Sequence, residues 1–399
     1  MKNVYDYLPE AEKAACESLY PEGKDNDCLI EQAADFYSAS MEKAKTLFGY
    51  PSYNVNLSEK TKALLTMHYS SCFSNNCGDI AEAESYNYAL DSKFMERKIV
   101  RLFADKFGMG ENAWGYVTSG GSESNFCGID LAFIKNPNAM LYYSASAHYS
   151  VTKHAAFYPN ECIPVSENEK MNAEAVKSRI LTNYNAKGLG ANIVLTFGTT
   201  KFGAIDDIDD IVNFLTEHHI PYFLHVDAAL FGGIPNNQVD APLLLNAKER
   251  GIHSVSVSLH KYIGFKDVKS VFVSVCKPNG TDIEYIGQKD TTVTGSRSIP
   301  AFALYNHLTE RLFDVPPYEY VKNINFFENL LNENGIKYSR CDRSNIFVVD
   351  CPDEQACKDF QLSSFTVDEN GELKTKAHFI IFPHHTEEMM IKAVNRLKK

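Results

Sequence analysis

The chain has no apolar run near the ~18 residues that a membrane-spanning helix requires, so a membrane-embedded function is excluded. It contains a single tryptophan and ten cysteines, none of them in a C-x-x-C pair. The closest pair, Cys72 and Cys77, has four residues between its members, a spacing that recommends neither a zinc site nor a redox motif. Basic residues are outnumbered: 39 Lys and Arg face 51 Asp and Glu, a net charge of −12. Nucleic acid and anionic membrane are therefore poor partners, because each repels an acidic surface. The first ten residues, Met1–Glu10, are polar and acidic, with no apolar segment of a secretion signal. The expectation is a cytoplasmic protein with reduced thiols.

The apolar and charged fractions, 44% and 23%, are those of an ordinary globular protein. Strand-length apolar runs appear at Trp114–Thr118, Met140–Tyr143, Cys162–Val165, Asn192–Phe197, Tyr222–Val226, Ser254–Ser258 and Ser270–Cys276. Helical patterns lie between many of them, including one long amphipathic pattern from Tyr86 to Met109. This alternation predicts an α/β fold with a mostly parallel sheet. Val315-Pro316-Pro317 reads as a hinge, after which strands near Lys337–Arg340, Ile346–Asp350 and Ala377–Phe382 mix with helices. The expected division is an N-terminal arm for dimerisation at 1–57, a large domain at 58–314 and a small α+β domain at 315–399. Possible helices in the arm run from Glu10 to Leu19 and from Cys28 to Phe48. His384-His385 reads as a solvated loop, and Asp206, Asp207, Asp209 and Asp210 as acidic charge at a helix start.

Chemistry gathers at strand ends, where open α/β sheets bind their ligands. Ser119-Gly120-Gly121-Ser122 joins a strand to a helix and offers free backbone N–H groups to an anion. It lacks both the Gly-Lys-Ser/Thr ending of a Walker loop and the Gly-x-Gly-x-x-Gly of dinucleotide folds. His148, Thr199-Thr200, Asp227 and Lys261 each follow or end another strand. Together they match the parts of pyridoxal 5′-phosphate. Lys261 supplies an amine for the aldehyde, Asp227 a carboxylate for the pyridine nitrogen, and the glycine turn a seat for phosphate. His148 can lie on one face of the ring and Ala229 on the other.

The sequence resembles the pyridoxal-phosphate-dependent group II amino-acid decarboxylases, and is most similar to bacterial histidine decarboxylases and plant serine decarboxylases. The resemblance runs from about Gly49 to the C-terminus. Asn75-Asn76-Cys77-Gly78-Asp79, Trp114-Gly115-Tyr116-Val117-Thr118 with Gly120-Gly121, and Tyr142-Tyr143-Ser144 with His148-Tyr149-Ser150-Val151 carry it. So do Gly198-Thr199-Thr200 with Gly203-Ala204-Ile205-Asp206-Asp207-Ile208, His225 with Asp227-Ala228-Ala229-Leu230, Ser258 with His260-Lys261, and Thr294-Gly295-Ser296-Arg297.

The resemblance implies an aspartate-aminotransferase-like (fold type I) architecture, with a large seven-stranded sheet domain and a small C-terminal domain, assembled as a homodimer with sites at the interface. It implies Lys261 as the lysine that bonds the cofactor, Asp227 as the pyridinium partner and His148 as the stacking residue facing the substrate. Gly120, Gly121, Ser122, Ser258 and His260 are the implied phosphate ligands, and Thr200 lies near the ring. Tyr285 is the candidate proton donor to Cα, and Tyr50, Tyr53 and Ser296 are candidate substrate contacts. No metal is expected. The implied reaction is loss of CO₂ from an L-amino acid. Histidine is the first substrate, with serine or another small polar or aromatic amino acid next. Where those decarboxylases continue Gly-Ser-Arg with Asn-Gly-His, this chain has Ser298-Ile299-Pro300. An aminotransferase or aldehyde-forming oxidase on the same fold is the alternative. Against a standard aminotransferase, Arg340, Arg343 and Arg396 are poor partners for a substrate carboxylate.

Overall fold

The computed structural model describes residues 27–71, 75–76, 78–80, 92–166, 169–293, 295–297, 299–351, 353–369 and 371–398. The chain forms two compact units, Met1–Leu47 and Phe48–Lys399. In the first, the described helix is Asp27–Ala44, which matches the pattern at Cys28–Phe48; the expected helix at Glu10–Leu19 lies outside the described residues.

The second unit is built on a seven-stranded sheet. Its strands in chain order are β1 (Trp114–Thr118), β2 (Ala139–Ser144), β3 (Asn160–Ile163), β4 (Gly190–Thr196), β5 (Tyr222–Asp227), β6 (Ser254–Ser258) and β7 (Ser270–Ser274). Their spatial order is β1-β7-β6-β5-β4-β2-β3. β7 runs antiparallel to both its neighbours and the other pairings are parallel. The register sets Asp227 beside Thr196 on one side and Ser256 on the other. All seven expected strands are present; six are buried along nearly their whole length, whereas β3 at the sheet edge is buried only at Ile163.

β6 shows how sequence sets the packing. Its Ser-Val-Ser-Val-Ser alternation sends valines to one face and serines to the other. A Cβ on Gly232 would meet Val257 at 2.8 Å, so the valine face packs against the turn after β5. The serine face meets the helix Gly121–Lys135, with Ser256 hydrogen-bonded to Asn125 at 2.9 Å. The same helix comes so near β5 that a Cβ on Gly128 would lie 2.5 Å from Nδ1 of His225. Small side chains on both elements permit this approach.

The long pattern at Tyr86–Met109 corresponds to the helix Lys93–Phe107, and residues 81–91 lie outside the described part. Gly108 ends the helix in the left-handed conformation, φ +68°, with its N–H on Ala104 and Asp105 carbonyls. Near the C-terminus a four-stranded antiparallel sheet has the order Tyr338–Ser339, Ile346–Asp350, Glu372–Ile380, Ser363–Glu369. The strand Ser363–Glu369 is absent from the expectation above. Its signal was the Asn370-Gly371 pair between alternating residues, a hairpin turn sequence.

Two expectations are corrected here. His385 is buried, stacks on Phe48 at 4.3 Å and accepts the Phe382 N–H at 3.0 Å, so His384-His385 is a packed corner. Asp206 is buried too. It accepts backbone N–H bonds from Met171 and Thr196, each at 2.7 Å, and burial raises its pKa to about 6. It ties the end of β4 to a neighbouring loop. Asp207, Asp209 and Asp210 do lie at the start of the helix Ile208–Glu217.

Replacing Gly128 with Ala forces a methyl against an imidazole that its own hydrogen bonds hold in place. The expected loss is about 1–3 kcal/mol, the usual range for overpacking. A denaturant midpoint unchanged in Gly128→Ala would refute the close approach.

Candidate active site

The turn after β6, Leu259–Ile263, carries His260 and Lys261. Lys261 departs from helical geometry, with φ −81° and ψ −107°, and Gly264 closes the turn at φ +77°. A Cβ on Gly264 would stand 2.9 Å from the Tyr53 carbonyl oxygen, so this position requires glycine on both counts. Residues 52 and 53 clamp the turn from outside. The Tyr53 N–H donates to the Lys261 carbonyl at 3.0 Å, and the Ser52 hydroxyl to the His260 carbonyl at 3.2 Å. Burial pushes the Lys261 pKa down, and the Asp227 carboxylate opposes that shift. Lys261 is therefore an amine that sheds its proton more readily than a surface lysine.

Asp227, only 4% exposed, ends β5 and is held by a network that the sequence did not disclose. Asn125 Nδ2 donates to Asp227 Oδ2 at 2.8 Å, and the Ala229 N–H donates to Oδ1 at 3.1 Å. A carboxylate only accepts, so the amide end of Asn125 must face it. The carbonyl end then faces His225 Nε2 at 3.1 Å and the Ser256 hydroxyl at 2.9 Å. His225 therefore donates through Nε2–H, and its Nδ1 accepts from the Ser254 hydroxyl at 2.8 Å. Burial lowers the His225 pKa to about 4 and keeps the ring neutral.

The same asparagine reaches His148 through one hydroxyl. Asn125 Nδ2 also donates to Ser150 Oγ at 3.1 Å, and Ser150 Oγ lies 2.8 Å from His148 Nδ1. The Ser150 N–H points to that nitrogen as well, at 3.3 Å. With two donors on Nδ1, the neutral ring carries its proton on Nε2. Burial lowers the His148 pKa, Asp227 raises it and Lys261 lowers it, so the three groups share one electrostatic field.

The glycine turn lies beside the end of β6. The Ser124 N–H returns to the Gly120 carbonyl at 3.1 Å, the first closure of the helix Gly121–Lys135. The N–H groups of Gly121 and Ser122 thus belong to the open N-terminal turn. A Cβ on Gly120 would meet nothing within 4 Å, and one on Gly121 would stand 3.1 Å from Ser258 Oγ. This leaves a cradle at a helix N-terminus, bordered by a serine hydroxyl. Buried Glu123 fixes its entrance by accepting from the Ser119 N–H at 2.8 Å, the Ser119 hydroxyl at 2.6 Å and the Tyr116 hydroxyl at 2.9 Å. His260 Nδ1 lies 3.2 Å from the Lys269 carbonyl, which can only accept, so Nδ1 carries the proton.

Other expected residues stand apart from this group. Thr200 is exposed, while the hydroxyl of its neighbour Thr199 is buried and accepts the Ala204 N–H at 3.0 Å. Tyr53 is buried and donates its hydroxyl to Glu319 at 2.9 Å under the Arg311 guanidinium. Tyr50 is exposed, and Tyr285 is 62% exposed in the turn between the short strands Thr281–Ile283 and Gln288–Asp290. Ser296 pairs with Asn76 in a two-residue ladder, and its side chain lies outside the described part. Asp79 anchors the region around Tyr285: its N–H reaches the Lys289 carbonyl at 2.8 Å, and its carboxylate accepts from Thr291 at 2.8 Å.

The arrangement fits pyridoxal phosphate on its own chemistry. A cradle at a helix N-terminus suits a phosphate, and a buried carboxylate with a single donor on Oδ2 has a lone pair left there for a ring N–H. A lysine with a lowered pKa suits an aldehyde. The tautomer argument has a direct check. Removing the Ser150 hydroxyl takes a donor from the neutral form of His148, so Ser150→Ala raises the His148 pKa toward 6.5, the ordinary value. An NMR titration in which the wild-type ring titrates above the variant's would contradict it.

The pyridoxal-dependent decarboxylase conserved domain matches residues 90–274. A histidine decarboxylase of Pseudomonas entomophila is 33% identical over 335 residues, 80% of this chain and 79% of that one. Serine decarboxylase 2 of Oryza sativa subsp. japonica is also 33% identical, over 81% of this chain and 69% of that one. The crystal structure of L-methionine decarboxylase from Streptomyces sp. 590 superposes with a TM-score of 0.79 at 19% identity, covering 96% of this chain and 98% of that one. Its likeness confirms the fold. With the matched motifs lying at the strand ends described above, the chain belongs to the pyridoxal-phosphate-dependent amino-acid decarboxylases, carboxy-lyases of fold type I.

Proposed function

We propose that this enzyme acts on free L-histidine first, and next on serine or another small polar or aromatic amino acid, releasing CO₂ and the primary amine. Decarboxylation over transamination is supported first by the relatives, which are decarboxylases, and then by the state of the C-terminal arginines. Every arginine beyond residue 300 stands beside an acid: Arg311 by Glu319, Arg340 by Glu328, Arg343 by Asp342 and Arg396 by Asp353. Arg340 grips Glu328 with Nε at 3.1 Å and Nη2 at 2.9 Å. Arg340 and Arg396 are thus taken by hydrogen bonds to acids, whereas Arg311 lies over the Tyr53 ring with Nε and Nη2 making no hydrogen bond. A carboxylate held without a counter-charge loses CO₂ more easily, since its charge is poorly stabilised before the reaction. Histidine takes first place because histidine decarboxylases recur among the relatives. Ile299 and Pro300, where the resemblance departs, are buried at the start of the helix Ala301–Leu312.

When bound, pyridoxal phosphate supplies a ring that accepts the electrons left on Cα as CO₂ departs. The protein's part is to hold, orient and move protons. Gly120, Gly121 and Ser122, with Ser258 and His260, would bind the phosphate. Asp227 would keep a proton on the ring nitrogen, steadied by Asn125. His148 and Ala229 would take the two faces of the ring, with the histidine's Nε2–H toward the substrate. Lys261 Nζ would hold the cofactor by its aldehyde carbon, its lowered pKa leaving the amine free of a proton more readily. Tyr285, exposed and apart from these residues in one chain, would return a proton to Cα in the other subunit's site of a homodimer. The assembly we expect is a cytoplasmic homodimer, divided as an arm at 1–57 and domains at 58–314 and 315–399.

Lys261→Ala is expected to lower CO₂ release by more than about a thousandfold, as removal of an essential nucleophile does. Borohydride treatment with the cofactor should add a pyridoxyl mass to Lys261 in the wild type alone. Labelling of another lysine would end this assignment. In a panel of amino acids assayed for both CO₂ and amine, histidine should give the highest kcat/KM. A keto acid or ammonia without CO₂ would overturn the reaction, and a preference for serine would overturn only the substrate.

A further inference from the structure

Away from the site, two cysteines meet. Cys351 follows the strand Ile346–Asp350, and Cys357 lies in the helix Glu354–Asp359. Their sulfurs are 3.0 Å apart, inside the ~3.5–4.0 Å at which even smaller non-bonded carbons rest. Both backbones are fixed. The Cys351 N–H donates to Thr375 O at 3.0 Å, and the Cys357 N–H to Asp353 O at 3.1 Å, while the Cys357 carbonyl accepts from Leu362 at 2.8 Å. The Asp353 carboxylate caps the helix through the Ala356 N–H at 2.7 Å and takes Arg396 Nη2 at 2.9 Å. The approach of the thiols is therefore built into a strand, a capped helix and an ion pair. Both residues are partly exposed, so a small reagent can reach them.

We propose that Cys351 and Cys357 form a reversible intrachain disulfide by exchange with a low-molecular-weight disulfide such as oxidised glutathione. The Cys351 thiolate attacks one sulfur of the small disulfide and releases a small thiol. The Cys357 thiol then loses its proton and attacks Cys351 sulfur, releasing the second small thiol. Two electrons leave the protein and reduce one small disulfide to two thiols. Burial, with the neighbouring Cys351 adding to it, pushes the Cys357 thiol up to about 12. A thiol raised this far is protonated at neutral pH, so the ring-closing attack by Cys357 quickens as pH rises. The closed ring would pin the helix whose last turn supports the 48–53 segment: Phe360 O accepts the Phe48 N–H at 3.1 Å.

The sequence makes the test clean, because trypsin cleavage after Arg343 and Lys358 leaves both cysteines, and no other, in the peptide Ser344–Lys358. Holoenzyme is treated with oxidised glutathione, alkylated with iodoacetamide and digested. The expected peptide is unalkylated and lighter by two hydrogen atoms, and dithiothreitol restores double alkylation. In Cys357→Ser, a glutathione adduct should persist on Cys351. A doubly alkylated peptide after oxidation, or two separate glutathione adducts in the wild type, would overturn the proposal. So would an adduct that lodges on Cys357 in the wild type while Cys351 is alkylated.

Discussion

Asn125 places one amide between a carboxylate, two hydroxyls and an imidazole, and exchanging its two ends would set its oxygen against the Asp227 carboxylate, which only accepts. Its nitrogen serves Asp227 and Ser150, and its oxygen serves His225 and Ser256. The group is buried, where an unmade hydrogen bond costs about 1–3 kcal/mol. That penalty fixes the amide's direction, and the direction fixes the tautomer of His225. The proton on His148 Nε2 is set by Ser150, whose N–H and hydroxyl both meet Nδ1 and whose hydroxyl oxygen accepts from Asn125.

The network can exist only because the helix Gly121–Lys135 lies very close to the sheet. Gly128 leaves room for the His225 ring, and the serines of β6 replace bulk with hydroxyls that are hydrogen-bonded to the residues above them. The helix also begins at the anion cradle. One element therefore presents open backbone N–H groups at its first turn and hydrogen-bonds the acid and the Ser150 hydroxyl from its second. Glu123, between the two, accepts three hydrogen bonds that hold the loop before the helix. Distance between helix and sheet, set by small side chains, is the quantity that links packing to chemistry here.

The 48–53 segment shows a similar coupling on the other side of Lys261. Phe48 stacks on His385 and lies by Phe327, Phe360 and Phe379 in the core near the C-terminus, and five residues later Tyr53 holds the Lys261 carbonyl. Aromatic packing at one end and a backbone hydrogen bond at the other join the C-terminal sheet to the lysine. Tyr53, expected at the substrate, instead sits in this strut with its hydroxyl on Glu319.

Residue order alone was enough for the seven strands of the main sheet, the glycine turn, and the placing of Asp227, His148 and Lys261 at strand ends. Each of these depends on local periodicity or on one residue's position in a strand, which the order of residues records directly. The strand Ser363–Glu369 was legible as well, in its Asn-Gly turn, though its charged alternation concealed it. Tertiary structure decided the rest. Asn125 looks like a polar interruption of an apolar helix until its partners arrive from β5, β6 and the helix Tyr149–Ala155, 25 to 131 positions away. His385 and Asp206 look like surface groups until the chain folds over them. Hydrogen bonds of that range leave no periodic trace in the sequence, because each partner is chosen by proximity in space.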